Sequence, residues 1–247
     1  MNGIVWLLRN KWLFAGFLLF FSSCSNLCGQ VFDGEIKFVA PYQEITPFFP
    51  DIHVGAQYIQ EDRHVDGHPF YNNQLLGMGK ITISGFDYSE TPLQYDIVND
   101  LVITISPIKN QKAILDPDKI ETFTLGDSST FIKVNQDIRS FYHGNGFYRE
   151  IVQGNVSLYC KHYKEIVKDS SPMTPYNKFF ENQKYYIELE NEFHPVRKKK
   201  DAFKLLQVTK REIRPELKRN NLKFKRNKEA YLKVVVNNAL KTRNNVE

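Results

Sequence analysis

The sequence predicts an α+β protein: a mainly antiparallel, partly curled β-meander followed by two or three short C-terminal helices. Three observations predict it. From Leu75 to Val134 short apolar runs alternate with polar residues at a period of two, with turn residues between the runs, the pattern of strands with one face on a core. The pattern returns between Phe141 and Leu189. From Lys198 the apolar spacing becomes helical, and strands followed by helices, rather than the two interleaved, select α+β over a parallel βαβ arrangement.

The first stretch reads as five strands of one meander. Ile81 and Ile83 alternate with Thr82 and Ser84, Leu93, Tyr95 and Ile97 with Gln94 and Asp96, and Leu101, Ile103 and Ile105 with Val102 and Thr104. Asn99-Asp100 is a compact polar break that makes 93–105 the best hairpin candidate. Gly77 and Gly79, either side of Met78, mark a bulge or a close backbone approach. Further on, Gly144-Asn145-Gly146 sits between aromatic runs, Val156 to Tyr163 reads as a strand, Ser170 to Pro175 as a turn, and Lys184 to Leu189 as the last strand.

In the helical part, Ala202, Phe203, Leu205 and Leu206 form one apolar side, and Thr209 with Glu212 three residues on is a capping box. Pro215 bends the middle helix or keeps it short. Asn227 caps the last helix, where Leu232, Val235, Val236, Ala239 and Leu240 recur at i, i+3, i+4, i+7 and i+8, a stripe docked on something apolar.

At 247 residues, 28.9 kDa and 42% hydrophobic, the chain has enough material for one β-rich domain and an appendage. The expected division is an export signal over 1–29, an irregular segment over 30–74, an antiparallel β domain over 75–195 and a basic helical segment over 196–247 packed on it. The leader begins with Arg9 and Lys11 and no acid, continues through the apolar run Trp12 to Phe21, and ends in small and polar residues. Three fates are open to it: cleavage near Gly29, cleavage before a lipidated Cys24 in the lipobox-like Phe21-Ser22-Ser23-Cys24, or retention as an uncleaved anchor. Cys24 and Cys28 belong to the leader, so there is no disulfide framework, and Cys160 reads as a buried structural thiol.

The run from Gly67 to Ile105 carries GHPFY, a Gly-bounded strand and PLQYDIVNDLVI. Later come FYREIVQGNVSLYCKHYK and, over Asn191 to Leu240, an aromatic, a Val, several Lys, a short Leu-rich helix and NNLKFKRNKEAYLKVV. In these patterns the chain resembles an uncharacterised family of exported, signal-peptide-bearing Bacteroidota envelope proteins. The resemblance implies a Gram-negative envelope location, periplasmic or outer-membrane-associated, and brings no catalytic residues.

Candidate chemistry is sparse. Asp62, His64, Asp66 and His68, with His53 upstream, would share one side of an extended segment and offer a weak imidazole–carboxylate metal set. The same residues also read as a solvated loop turning at Gly67-His68-Pro69. His143 and His162 become acid–base candidates only if a cleft joins them to carboxylates. No nucleophile elbow, paired-Cys, phosphate-loop or dinucleotide motif occurs, and no cofactor is expected.

Charge divides the chain. Residues 196–247 hold 17 Lys and Arg against 5 Asp and Glu, a net of +12 that leaves −7 for residues 1–195 of a chain whose total is +5. Lys218, Arg219, Lys223, Lys225 and Arg226, with the Arg197–Lys200 run, either meet an anionic envelope surface or form a solvated face that pairs with the acidic body. Export argues against nucleic acid. The expected function is non-enzymatic binding or scaffolding at the envelope, with an unknown envelope protein or anionic surface as partner. The alternatives are an enzyme using pocket His and Asp residues, and a peripheral anionic-lipid binder acting through the basic helices.

Overall fold

The computed structural model describes residues 39–41, 55–60, 65–106, 110–134, 144–168 and 177–244, all within one compact unit, Lys37–Glu247. The export signal over 1–29, including Cys24, and the candidates His53, Asp62, His64 and His143 lie outside the described residues. The strands are β1 (Val39–Pro41), β2 (Val65–Asp66), β3 (Gly77–Ile83), β4 (Phe86–Asp96), β5 (Leu101–Ser106), β6 (Gln111–Ile114), β7 (Ile120–Thr124), β8 (Thr130–Val134), β9 (Gly146–Val152), β10 (Val156–Lys168), β11 (Asn177–Leu189) and β12 (Glu192–Val196). The helices are α1 (Lys199–Leu206), α2 (Lys210–Arg219) and α3 (Lys228–Asn244). The α+β class and the order of strands before helices are as the sequence predicts, and among the described residues no helix is long and apolar enough to cross a membrane.

The topology departs from a single meander. The sheet order is β12-β11-β10-β9-β8-β7-β3-β4-β5-β6, so β7 returns to pair with β3 instead of continuing from β6. Two meanders therefore share the β3–β7 seam, and the stretch 75–134 holds six strands. The reason lies at Gly79, where a Cβ would sit 2.2 Å from the Thr124 carbonyl oxygen; the missing side chain lets β7 close on β3. One residue on, Ser89 and Glu90 of β4 face the single Lys80, with Glu90 at a left-handed φ of 51°. This bulge bends β4, whose second half pairs with β5.

The bend folds the β4–β5–β6 hairpins over the face of β3, β7, β8 and β9 and encloses one core. Tyr95, Phe123, Phe131 and Phe147 meet there ring against ring at 4.9–6.0 Å, packed with Ile81, Leu93 and Val102. The predicted hairpin at Asn99-Asp100 exists, with Asp100 at φ 61°, and its turn reaches across the curl: the Lys164 amide donates to the Ile97 carbonyl at 3.1 Å.

Lys184–Leu189 belongs to a longer strand that is not the last. Glu190 and Asn191 both take left-handed φ, 54° and 63°, the two-residue hairpin geometry, and send the chain back as β12. Pro195 is tolerated there because β12 is an edge. Part of the irregular segment also joins the sheet: β1 lies parallel to β4, β2 lies parallel to β11, and Phe70 bridges to Asp96.

The helices build a second core. Val156, Leu158 and Cys160 of β10 and Tyr185 and Ile187 of β11 meet Ala202 and Leu206 of α1, Ile213 and Leu217 of α2, and the α3 stripe Leu232, Val235, Val236 and Ala239. Thr209 donates its amide to Glu212 Oε2 at 3.4 Å, the predicted box at the start of α2, and α2 carries Pro215 and ends after 10 residues. An ion pair from Arg149 of β9 to Glu229 in the first turn of α3 ties the last helix to the sheet.

Candidate functional site

Three groups of polar side chains stand out, and two of them lie inside the fold. The first joins Tyr95, Asp100 and Lys161. Tyr95 donates its hydroxyl to Asp100 Oδ1 at 2.5 Å, and Lys161 Nζ donates to Asp100 Oδ2 at 2.8 Å and to the Phe147 carbonyl at 3.0 Å. Lys161 is 5% exposed and Tyr95 1%. Burial first, then the Asp100 carboxylate, pushes the Tyr95 hydroxyl well above its usual range; burial lowers the Lys161 ammonium, while Asp100 opposes that fall. Gly146, at φ 140°, makes room for the pair, since a Cβ there would lie 1.9 Å from Asp100 Oδ2. The group ties the β4–β5 turn to β9 and β10. Asp100 was legible only as a turn residue and Lys161 not at all, because the partners lie 61 residues apart.

The second group surrounds His162. Its Nδ1 lies 3.2 Å from Glu181 Oε1, its ring stands edge-on to Tyr71 at 4.8 Å, and it is 3% exposed. Lys164 donates to the carbonyls of His68 and Phe70, at 3.0 and 2.6 Å. The His162 hydrogen bond chiefly holds the Glu181 carboxyl below the usual range, against burial and with the Lys164 charge helping. Burial, then Lys164, lowers His68, whose Nδ1 accepts from the Phe70 amide. So His68 is placed as a structural acceptor, Asp66 is exposed at the start of this segment, and among the described residues no three His, Cys, Asp or Glu side chains are grouped to hold a metal.

With a folded pKa below the reference 4.5, Glu181 contributes stability that is fully present above about pH 4.5 and is lost as pH falls through its folded value. Glu181→Gln is therefore expected to lower the melting temperature near pH 7 and to flatten its fall below about pH 4.5. Thermal unfolding of both proteins across that range measures it, and parallel curves would refute the assignment.

Cys160 is fully buried beneath the helices, and burial pushes its thiol up to about 12. It is the structural thiol expected from the sequence.

The third group is on the surface. Lys218, Arg219, Lys223, Lys225 and Arg226 are all exposed and fall within nine residues, at the end of α2 and in the α2–α3 connection. Among the described residues none of the five forms an ion pair. The connection that carries them is itself well held: Leu222 donates its amide to the Leu217 carbonyl at 2.9 Å, and Arg226 and Asn227 both donate to the Lys223 carbonyl, at 3.0 and 2.9 Å. Lys225 and Arg226 line an open cleft of about 690 Å³ with Lys228 and Lys233 of α3. A neighbouring cleft of about 370 Å³ shares Lys228 and Tyr185 and adds Lys184 and Arg197. Lys184 carried no sequence signal, because a lysine in a strand reads only as a solvent-facing position.

No protein-family model, no curated protein and no solved structure matches the chain.

Proposed function

We propose that the protein is an exported, non-enzymatic binding protein of the cell envelope whose contact surface is the basic α2–α3 connection, and that this surface meets anionic envelope lipid. One observation carries the reading: five exposed cations within nine residues are presented, among the described residues without carboxylate partners, on a connection held by backbone hydrogen bonds. Held this way, the backbone needs no ordering when the charges bind, and each lysine or arginine near an anionic bilayer contributes about 1 kcal/mol. The leader over residues 1–29 supports export. The polar groups around Lys161 and His162 are spent inside the fold, tying strands together.

Sedimentation with vesicles of phosphatidylglycerol in phosphatidylcholine tests this. The wild type is expected to co-sediment at roughly 0.15 M salt and to be released as salt rises. Replacing all five cations by Gln should abolish binding. A wild type that stays in solution with such vesicles would refute the lipid reading.

A further inference from the structure

Strand β11 leaves part of one edge open. One edge pairs with β10 along the whole strand, from Asn177 to Leu189. The other pairs with β2 at Asn177 and Lys178 and with β12 from Tyr185 on. Between them, Phe179 to Lys184 has no strand beside it among the described residues. Both flanking strands are led off the edge at this point. After Asp66 the chain turns at Gly67, at φ 92°, and after Val196 the Arg197 amide donates to Asp201 Oδ2 at 2.9 Å, at the start of α1.

Two independent observations fix which backbone groups line the gap. The Lys164 amide donates away from β11, to the Ile97 carbonyl, so Lys164 and Glu181 are a pair that exchanges no hydrogen bonds across the β10–β11 ladder. On the other edge Pro195, opposite Tyr186, has no N–H to give, so the bonded pairs are Tyr185 with Val196 and Ile187 with His194. Both place the backbone groups of the odd-numbered residues of β11 on the outer edge. The N–H and C=O of Glu181 and of Gln183 therefore point out of the sheet. Both residues are exposed, and among the described residues no hydrogen bond uses these four groups.

The gap is a recessed slot. Its length is about 20 Å at roughly 3.3 Å per residue, and β2 and β12 stand one strand spacing, about 4.8 Å, beyond its floor at the two ends. A second copy of the chain would bring the same two flanks, which would hold the two floors apart. Edge-to-edge pairing of copies is thereby blocked, while one extended segment fits. The two faces beside the slot differ in chemistry. On one, Phe180 is 52% exposed. On the other, Gln183 lines the open cleft of about 690 Å³ that holds Lys225, Arg226, Lys228 and Lys233. The acids on that side are engaged, Glu229 by Arg149 and Glu181 by His162.

We propose that the slot binds an extended peptide segment of a partner protein by strand addition, antiparallel to β11, with an acidic side chain opposite Gln183 and an apolar one beside Phe180. The peptide exchanges two hydrogen bonds with Gln183 and two with Glu181. Its side chains alternate between the faces, so the acid enters the basic cleft while the apolar residue takes the Phe180 ring out of water. The inference goes beyond the proposed lipid contact, because its principal groups are backbone atoms of β11.

The probe is the peptide acetyl-Val-Glu-Val-Thr-Val-Thr-amide, titrated into the full protein by calorimetry. Saturable binding at one site is expected. N-methylation at Glu and the first Thr, whose N–H groups face β11, should weaken it at least about ten-fold, and N-methylation at the second and third Val, whose N–H groups face solvent, by less than about three-fold. Gln183→Pro removes an N–H that the fold does not use, as Pro195 does at the β12 edge, and should also weaken binding at least about ten-fold. Its melting curve is measured alongside, and the N-methylated pair carries the result if that variant unfolds. A peptide with Lys in place of Glu should bind at least about ten-fold more weakly.

No saturable binding, equal effects of the two N-methylation patterns, or equal binding of the Lys peptide would each overturn the inference. Dimerisation of the wild type that Gln183→Pro abolishes would assign the edge to a second copy and overturn it too. Vesicle binding without peptide binding would leave the proposed function standing alone, and peptide binding without vesicle binding would leave this inference standing alone.

Discussion

A chain ending at Asn227 is expected to lose its cooperative thermal transition. Removing α3 strips Leu232, Val234, Val235, Val236 and Ala239 from the second core and uncovers Val156, Leu158, Cys160, Tyr185 and Ile187 of the sheet. Each large apolar side chain fully buried contributes about 1.5–3 kcal/mol, so the helix supplies on the order of 10 kcal/mol, comparable to the whole stability of a domain. It also removes the Glu229 partner of Arg149. Circular dichroism and binding of a hydrophobic dye measure the outcome: a broad transition and strong dye binding. A sharp transition within a few degrees of the full chain would show that the helices are an accessory. The graded version is Leu232→Ala, at a site with no solvent exposure, expected to cost about 2–5 kcal/mol and roughly 4–20 °C in melting temperature.

Breaking the Asp100–Lys161 pair on one side is the second large effect. Asp100→Ala leaves a buried ammonium with the Phe147 carbonyl as its remaining hydrogen-bond acceptor and leaves the Tyr95 hydroxyl the same carbonyl at 3.5 Å. Removing one member of a buried pair costs about 3–5 kcal/mol. Asp100 is 30% exposed at its side chain, which places this pair at the lower end, about 3 kcal/mol or roughly 6–12 °C. The double variant Asp100→Asn with Lys161→Met removes both charges and should recover more than half of that loss. Additive losses in the double variant would mean that the two residues act separately.

The sequence and the fold agree where the signal is local and diverge where it is distant. Period-two alternation placed the strands around Ile81, Tyr95 and Ile103, and helical spacing placed the α3 stripe, because each depends only on near neighbours. Asn99-Asp100, the Thr209–Glu212 box and Gly79 were legible for the same reason. The return of β7 to β3 was not, since pairing order depends on which backbone can approach which, and Gly79 shows only that something approaches. Strand β12 was hidden by Pro195, which counts against a strand until its position at the edge is known. The basic α2–α3 connection was legible as composition. That its cations form no ion pair among the described residues follows only from the folded arrangement.

The claim that the basic connection is displayed for a partner, and does not hold the helices on the sheet, is tested most directly by comparing the melting temperatures of the wild type and of the variant with Lys218, Arg219, Lys223, Lys225 and Arg226 all changed to Gln. Exposed, unpaired cations contribute little to folding, and even exposed pairs are worth below about 1 kcal/mol each. Melting temperatures within about 3 °C of each other are expected, with vesicle binding lost in the variant. A fall of roughly 10 °C or more would show that these charges hold the tail to the acidic body, and would contradict it.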